Sequence, residues 1–332
     1  MHKDDRVQMQ LFTDNETADV SGAQNNVKTD QYEPGETENT DDEAIVDPRN
    51  SLNDLTGKEW LPETKSFFFQ KGLGTKHPHA QIERQHPAPF SFQDISRLIL
   101  FFTKKGQRVL DPFGGVGSTA KACAINERIC TSIELAPKWH ELAIERLETE
   151  VGPGTSSQHE FINADCIPTL KQFQSNMFDL IVTSPPYWAI LNKKADHKVK
   201  TERVEHNLAT NYSSSSRDLG NIEKYEDFLD VLVEDVFREC GRVLKERKYM
   251  CLVVSDFRHK SEFISFHSDL IQRLSHKDVG DGYRLSLQGV KILLQNHKRL
   301  IPYGYPFAYV ENIHHQYILI FRKMPTKKGR MG

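Results

Sequence analysis

Two stretches, Asp111-Pro-Phe-Gly-Gly-Val-Gly-Ser-Thr119 and Thr183-Ser-Pro-Pro-Tyr-Trp188, decide the fold, because each begins where an apolar run stops. The first follows Arg108-Val-Leu110 and leads into Ser118-Thr-Ala-Lys-Ala-Cys-Ala-Ile125, so strand, glycine turn and helix come in order. Gly115 and Gly117, with Ala120 three residues on, fit a G-x-G-x-x-A turn. In such a turn the missing side chains let backbone approach a ligand and let the helix pack on its strand. The next strand, Ile129 to Leu135, carries Glu134, 23 residues after Asp111, where a carboxylate can accept both hydroxyls of a ribose. A third apolar stretch, His159 to Asp165, ends on an acid that could accept a hydrogen bond from an adenine amino group. A nicotinamide-dinucleotide site shares this geometry. Against it, Pro112-Phe113 is unlike a pyrophosphate loop, and Asp111 would repel phosphate while suiting a cationic amino-acid group.

The second stretch ends the run Phe178-Asp-Leu-Ile-Val182, which places Ser184 to Tyr187 at the carboxyl edge of a parallel sheet, beside the ligand crevice. An exocyclic amine is a poor nucleophile because its lone pair is delocalised into the ring, so a site must orient it and accept its hydrogens. The Ser184 hydroxyl and the carbonyls around Pro185 and Pro186 can do so, and the prolines bring fixed φ and no competing N–H. Tyr187, together with Trp188, offers a face on which an extruded base can stack. Read alone, Ser-Pro-Pro-Tyr is equally a proline turn after a buried strand.

Together these residues resemble the S-adenosylmethionine-dependent amino-methylating DNA methyltransferases, the N4-cytosine/N6-adenine class, over about residues 55–323. The resemblance implies that Phe90, in His86-Pro-Ala-Pro-Phe90, lines the methionine side of the donor. It makes Asp111, Pro112, Phe113, Gly115, Gly117, Ser118 and Thr119 the donor loop, Glu134 the ribose acid and Asp165 the adenine acid. Ser184-Pro185-Pro186-Tyr187 becomes the catalytic tetrapeptide, and His315 to Lys323 the family's last strand. In that family a serine at the head of the tetrapeptide goes with N4 of cytosine, and an aspartate or asparagine with N6 of adenine. The expected activity is therefore N4-cytosine methylation of double-stranded DNA, with N6-adenine as the alternative. A donor-binding regulatory module without turnover is the reading from another class, and the intact tetrapeptide argues against it. The wording of His86 to Thr119 resembles members in which the tetrapeptide comes first, so the order here is permuted. No long separate insertion is present to serve as a target-recognition domain.

The expected fold is a doubly wound α/β sheet, Rossmann-like and mostly parallel, with an antiparallel strand near the C-terminal end. Phe228, Leu232 and Val236 make one stripe and Leu229, Val233 and Phe237 its neighbour, which predicts a sheet-covering helix over Tyr225–Phe237. Strands are expected at Tyr249–Ser255, Val290–Leu294 and Gln316–Phe321. Residues 1–54 read as an acidic disordered tail, residues 55–323 as the catalytic domain and 324–332 as a basic C-terminal tail. Within 1–50 stand four Lys or Arg against thirteen Asp or Glu, a formal −9, so the remainder carries +6 within a total of −3. A basic body suits a polyanionic partner.

Between residues 189 and 222 the apolar pattern vanishes, leaving Lys193, Lys194, Lys198, Tyr212 and Arg217 in a long basic loop that leaves directly from the tetrapeptide. With Trp188, these are the candidate DNA contacts. Lys298 to Pro306, where basic and aromatic residues interleave, is a second candidate, and a tyrosine-rich connection packed on the sheet edge its plain alternative. The five cysteines are scattered without a C-x-x-C pair or metal spacing, so no metal is expected. None is near Ser184 in sequence, which disfavours attack at a ring carbon, and Cys166, following Asp165, is expected at the donor pocket. The acidic start lacks a signal peptide and no run reaches membrane-spanning length, so a cytoplasmic protein is expected, with a cognate restriction endonuclease as its conceivable partner system.

Overall fold

The computed structural model describes residues 45–326 apart from 71, 72, 74–76, 87–89, 189–214, 216, 260, 261, 297 and 299. One sheet organises these residues. Its strands are β1 (Phe67–Phe69), β2 (Arg108–Asp111), β3 (Ile129–Glu134), β4 (Glu160–Asn163), β5 (Phe178–Thr183), β6 (Leu244–Val254), β10 (Tyr283–Leu294) and β11 (His315–Pro325). A short β9 (Asp278–Gly280) pairs with β10, while β7 (Phe257–His259) and β8 (Glu262–Ile264) form a separate hairpin. The spatial order is β1-β10-β11-β6-β5-β2-β3-β4. Strands β6, β5, β2, β3 and β4 pair in parallel, and β11 is antiparallel to both β6 and β10. The doubly wound, mostly parallel sheet with an antiparallel strand near its C-terminal end is as expected.

Side-chain alternation explains why the strands read as continuous apolar runs. Leu110, Ile181, Met250, Leu252, Leu319 and Phe321 point into one core, while Val109, Leu180, Val182, Cys251, Ile318 and Ile320 point into the other. With both faces buried, neither register position tolerates a polar residue. The first core is covered by α5 (Cys166–Gln172), α7 (Phe266–Leu274) and a continuous helix α6 made of Tyr225–Asp230, Val231–Phe237 and Arg238–Val243. The helix expected over Tyr225–Phe237 is present and longer, and its middle segment is π-helical. The second core is covered by α2 (Phe92–Phe102), α3 (Ser118–Ile125) and α4 (Pro137–Glu150). Ser91 caps α2 through its hydroxyl, 3.2 Å from the Gln93 N–H, and Ile95, Leu98, Ile99 and Phe102 form its buried stripe. A shorter helix, α1 (Gly57–Glu63), starts with a capping box between Thr56 and Glu59.

The order of winding reverses between β2 and β5, the point at which helices pass to opposite faces and the carboxyl ends of two neighbouring strands open a crevice. Both diagnostic stretches leave from those strands. One boundary is corrected: residues 50–54, expected in the tail, belong to the body. Asn53 is fully buried and donates to the Phe101 carbonyl at 2.6 Å, and Asp54 pairs with Arg128 at 3.4 Å. Among the described residues no helix is long and apolar enough to cross a membrane, and no group of three or more His, Cys, Asp or Glu is placed to hold a metal ion.

Candidate active site

Where β2 and β5 end side by side, Asp111 ties them together. Its carboxylate accepts from the Thr183 hydroxyl at 2.6 Å, the Thr119 hydroxyl at 2.5 Å and the Phe113 N–H at 3.0 Å. It is fully buried and forms no part of the crevice wall. In this arrangement Asp111 does not face the crevice, and its bonds bend the loop back over the strand ends. Burial raises its pKa, against the lowering by those three donors.

Beyond this staple lies an open cavity of about 870 Å³, a volume that includes the space opening to solvent. Pro112, Phe113, Gly115 and Ser118 of the glycine loop form one wall, Glu134 and Asp165 another, Phe90 a third, and Ser184, Pro185 and Pro186 a fourth. The first motif and the second thus face one space. Gly115 has φ +49, a conformation that glycine adopts without strain, and a methyl on it would lie 3.4 Å from the His86 ring at the cavity wall. Gly117, at φ +73, works elsewhere: a methyl there would meet Ala143 of α4 at 2.9 Å, so this glycine allows helix packing and does not line the cavity. Thr119 likewise faces inward to Asp111.

Behind the loop sits a buried ionic cluster. Arg146, wholly inaccessible, donates to Glu83 at 2.5 Å, Glu150 at 3.0 Å, the Ser118 hydroxyl at 3.0 Å and the Val116 carbonyl at 3.2 Å. Lys121 reaches the same Glu150 at 2.5 Å. The cluster locks the glycine loop to the segment that delivers His86 and Phe90.

Glu134 ends β3 with one oxygen on the Gly115 N–H and the other on the Ala136 N–H, both at 2.8 Å. Burial pushes its pKa up to about 7, against those two N–H groups that lower it, with the nearby charges of Asp111 and Asp218 adding to the rise. A carboxylate so placed has lone pairs left for diol hydroxyls on the cavity side. The adenosyl group and cationic tail of S-adenosylmethionine fit these walls, because acids and aromatic faces both line the space: Glu134, Asp165 and Asp218 supply charge, Phe113 and Trp139 ring surface.

That geometry gives a pH prediction. The folded pKa of Glu134 lies above its ordinary 4.5, so its contribution to stability is present below about 4.5 and lost as pH rises through about 7. Diol hydroxyls favour the ionised form, so donor binding is expected to release a proton and to tighten, by up to about tenfold, between about pH 6 and about pH 8. Titration calorimetry in buffers of different ionisation enthalpy checks this, and a profile that Glu134→Gln leaves unflattened would refute it.

Asp165 lines the cavity and also caps α5, its Oδ1 accepting from the Ile167 N–H at 2.9 Å. Cys166 lines the cavity too, as expected, and so shares it with Ser184 despite their distance in sequence. Burial raises its thiol pKa well above the ordinary value, which keeps it protonated and unfit as a nucleophile. Arg217, exposed, stands at the rim with Asp218.

Two expected stacking residues are elsewhere. Tyr187 is 2 % exposed and packs edge-on against Phe257 and at a tilt against Phe266, with its hydroxyl beside Ser184, Gln316 and the Ser255 backbone. Trp188 is also buried, donating from Nε1 to the Ile222 carbonyl at 2.8 Å and packing on His259 and Tyr225. Neither ring can receive a base in this arrangement, because the helices α6 and α7 and the β7–β8 hairpin already cover them. Lys193, Lys194, Lys198 and Tyr212 lie outside the described residues. Sequence reasoning missed His86, Trp139 and Asp218. His86 stands in the stretch quoted for Phe90, its ring 5.0 Å from that of Trp139, and Trp139 occupies the first turn of the helix after Glu134, a position that faces the strand ends.

Known proteins resemble the chain in part. It is 37% identical over 71 residues to the orphan methyltransferase M.BamHII of Bacillus amyloliquefaciens, covering 21% of this chain and 27% of that one. To the type II methyltransferase M.BglI of Bacillus subtilis it is 31% identical over 118 residues, 36% of this chain and 29% of that one. The matched segments thus span under a third of either relative. Among solved structures, TrmN from Thermus thermophilus aligns with a TM-score of 0.42 and 16% identity, over 70% of this chain and 48% of that one. A family model described as DNA methylase matches residues 8–145 and 178–328, taking in both crevice motifs and beginning inside the acidic stretch, and on that breadth the chain belongs to the DNA methylase family of N6 and N4 methyltransferases.

Proposed function

We propose that this protein transfers a methyl group from S-adenosylmethionine to the exocyclic amine of a base in double-stranded DNA, with N4 of cytosine as the target. The observation that carries the reading is the shared cavity: Ser184, Pro185 and Pro186 form one wall and the glycine loop with Glu134 forms the others, joined behind by the 2.6 Å bond between Thr183 and Asp111. A donor and an amine held there meet within one crevice, so positioning supplies much of the rate.

The donor, when bound, supplies an electrophilic methyl on sulfonium. The chain's own residues do the rest. Glu134 accepts the ribose hydroxyls, and Phe113, Trp139 and Asp165 bracket the adenine. The acids Glu134, Asp165 and Asp218 favour the cationic donor over its neutral product. Ser184 and the carbonyls of the Pro185-Pro186 step accept the amine hydrogens and turn the nitrogen lone pair toward the methyl. Tyr187 acts from behind, its hydroxyl holding Ser184 in place. Phosphates of the duplex are met by Lys193, Lys194 and Lys198, which follow the tetrapeptide in sequence, and by Arg217 at the rim.

Mass analysis of nucleosides from DNA of cells expressing the protein tests this directly. N4-methylcytosine is the expected product, resting on serine at position 184, and N6-methyladenine in its place would move the target base while leaving the donor site intact. In the purified protein, Ser184→Ala is expected to keep donor affinity and lower the methylation rate by about tenfold to a thousandfold, the range for loss of one aligned polar group at a reacting centre. A full rate in that variant, or no modified base in DNA, would overturn the reading.

A further inference from the structure

From β10 to β11 the chain makes a loop that carries four strongly exposed large apolar side chains: Leu300 is 72% exposed, Tyr305 81%, Phe307 93% and Tyr309 83%. Soluble surfaces do not gather such groups at one tip without a partner. The tip is built rather than slack. At its neck Asn312 makes two bonds to Ile301, accepting its N–H and donating to its carbonyl, each at 2.9 Å. At its turn Gly304 has φ +71, and the N–H groups of Phe307 and Ala308 both donate to its carbonyl, at 2.7 and 2.8 Å. A methyl on Gly304 would strike the Ala308 carbonyl at 2.4 Å, so only glycine closes the turn that turns Tyr305 and Phe307 outward.

The loop stands at the reactive edge of the sheet. Leu294 pairs with His315, Tyr317 with Val254, and Leu252 with Thr183, so the loop springs from the edge that carries the tetrapeptide. Gln316, the second residue of β11, sits beside the Tyr187 hydroxyl. The loop itself leans basic: from Gln295 to Val310 it carries Lys298 and Arg299 and no Asp or Glu, and Glu311 follows at its neck. Lys298 itself is buried, so the tip meets its partner through rings and not through that ammonium.

We propose that Tyr305 and Phe307 are a wedge that enters the DNA duplex and fills the stack left by the extruded base, with Tyr309 and Leu300 supporting them. The proposal rests on the DNA-methylating reading of the crevice and adds the device that opens the helix. An apolar ring at the vacated step offsets the lost stacking, which a buried Tyr187 and Trp188 cannot do. The occupant is thus duplex DNA, not a second copy of the chain.

The experiment compares the wild type with Tyr305→Ser/Phe307→Ser on native and on heat-denatured genomic DNA from a host lacking the modification. Both side chains are exposed, so folding and donor affinity should be unchanged, as melting curves and calorimetry would record. The expected result is a loss of about tenfold or more in methylation rate on native DNA and of less than about twofold on denatured DNA, where opening is already done. Equal rates for variant and wild type on native DNA would overturn the wedge, and so would equal losses on both substrates. A wild type that sediments as a dimer and a variant as a monomer would reassign the loop to a subunit contact. If the wild type modifies neither substrate, it is the methylation reading that fails.

Discussion

Asp111→Ala is expected to cost about 2–4 kcal/mol of folding stability and to weaken donor binding at least tenfold, although the carboxylate never touches the cavity. Three donors converge on this carboxylate. Thr119 belongs to the first turn of α3, Thr183 to the end of β5, and Phe113 to the loop between, so one side chain fixes three segments. Each charge-assisted bond is worth about 1.5–3 kcal/mol, but burial of the carboxylate opposes them, as its raised pKa records, and the net is smaller than the sum. Removing the acceptor leaves two buried hydroxyls and an N–H to find new partners, and the loop that carries Phe113 and Gly115 loses its anchor. Asp111→Asn, which keeps one acceptor oxygen and the side-chain volume, should recover most of the stability. Urea denaturation with parallel calorimetry of the donor separates the two effects. Should Asp111→Ala prove as stable as the wild type while losing the donor, the residue would be a direct ligand after all, and the staple would be wrong.

How much of this was legible beforehand depended on whether the signal was local. The order strand, glycine turn, helix is a matter of neighbouring residues, so β2, the loop and α3 could be placed from Arg108 to Ile125, and Glu134 and Asp165 could be named from their positions at strand ends. Alternation within Phe178–Val182 could not reveal two cores, because a strand buried on both faces shows a plain apolar run. Asp111 and Glu134 look alike in sequence, each an acid closing an apolar strand. Only the approach of Thr119 and Thr183 to one, and of the cavity to the other, distinguishes the acid that staples from the acid that lines the cavity. The ionic cluster was equally hidden, since Glu83, Lys121, Arg146 and Glu150 lie on three separated segments and read singly as surface charges. The burial of Tyr187 was hidden for the same reason: what covers a ring is decided by residues such as Phe257 and Phe266, some seventy or more positions away.

Tyr187→Ala should therefore be the most damaging change at the tetrapeptide, and through the core and not through the base. The ring is among the largest fully buried side chains, packed with Phe257 and Phe266, and cutting it back leaves a void between the sheet and α7. A large aromatic truncation in such a place costs about 3–5 kcal/mol, enough to leave a marginally stable protein largely unfolded at growth temperature. Tyr187→Phe separates packing from polarity. It keeps the ring and removes only the hydroxyl that sits beside Ser184 and Gln316, so stability should fall by about 1 kcal/mol while methylation slows by about fivefold to tenfold at unchanged donor affinity. A base-stacking role predicts the opposite pair of results: Phe as good as Tyr, and Ala stable but slow. Thermal melts of both variants, set beside single-turnover methylation rates, decide between them, because only the packing account ties the loss in Tyr187→Ala to unfolding.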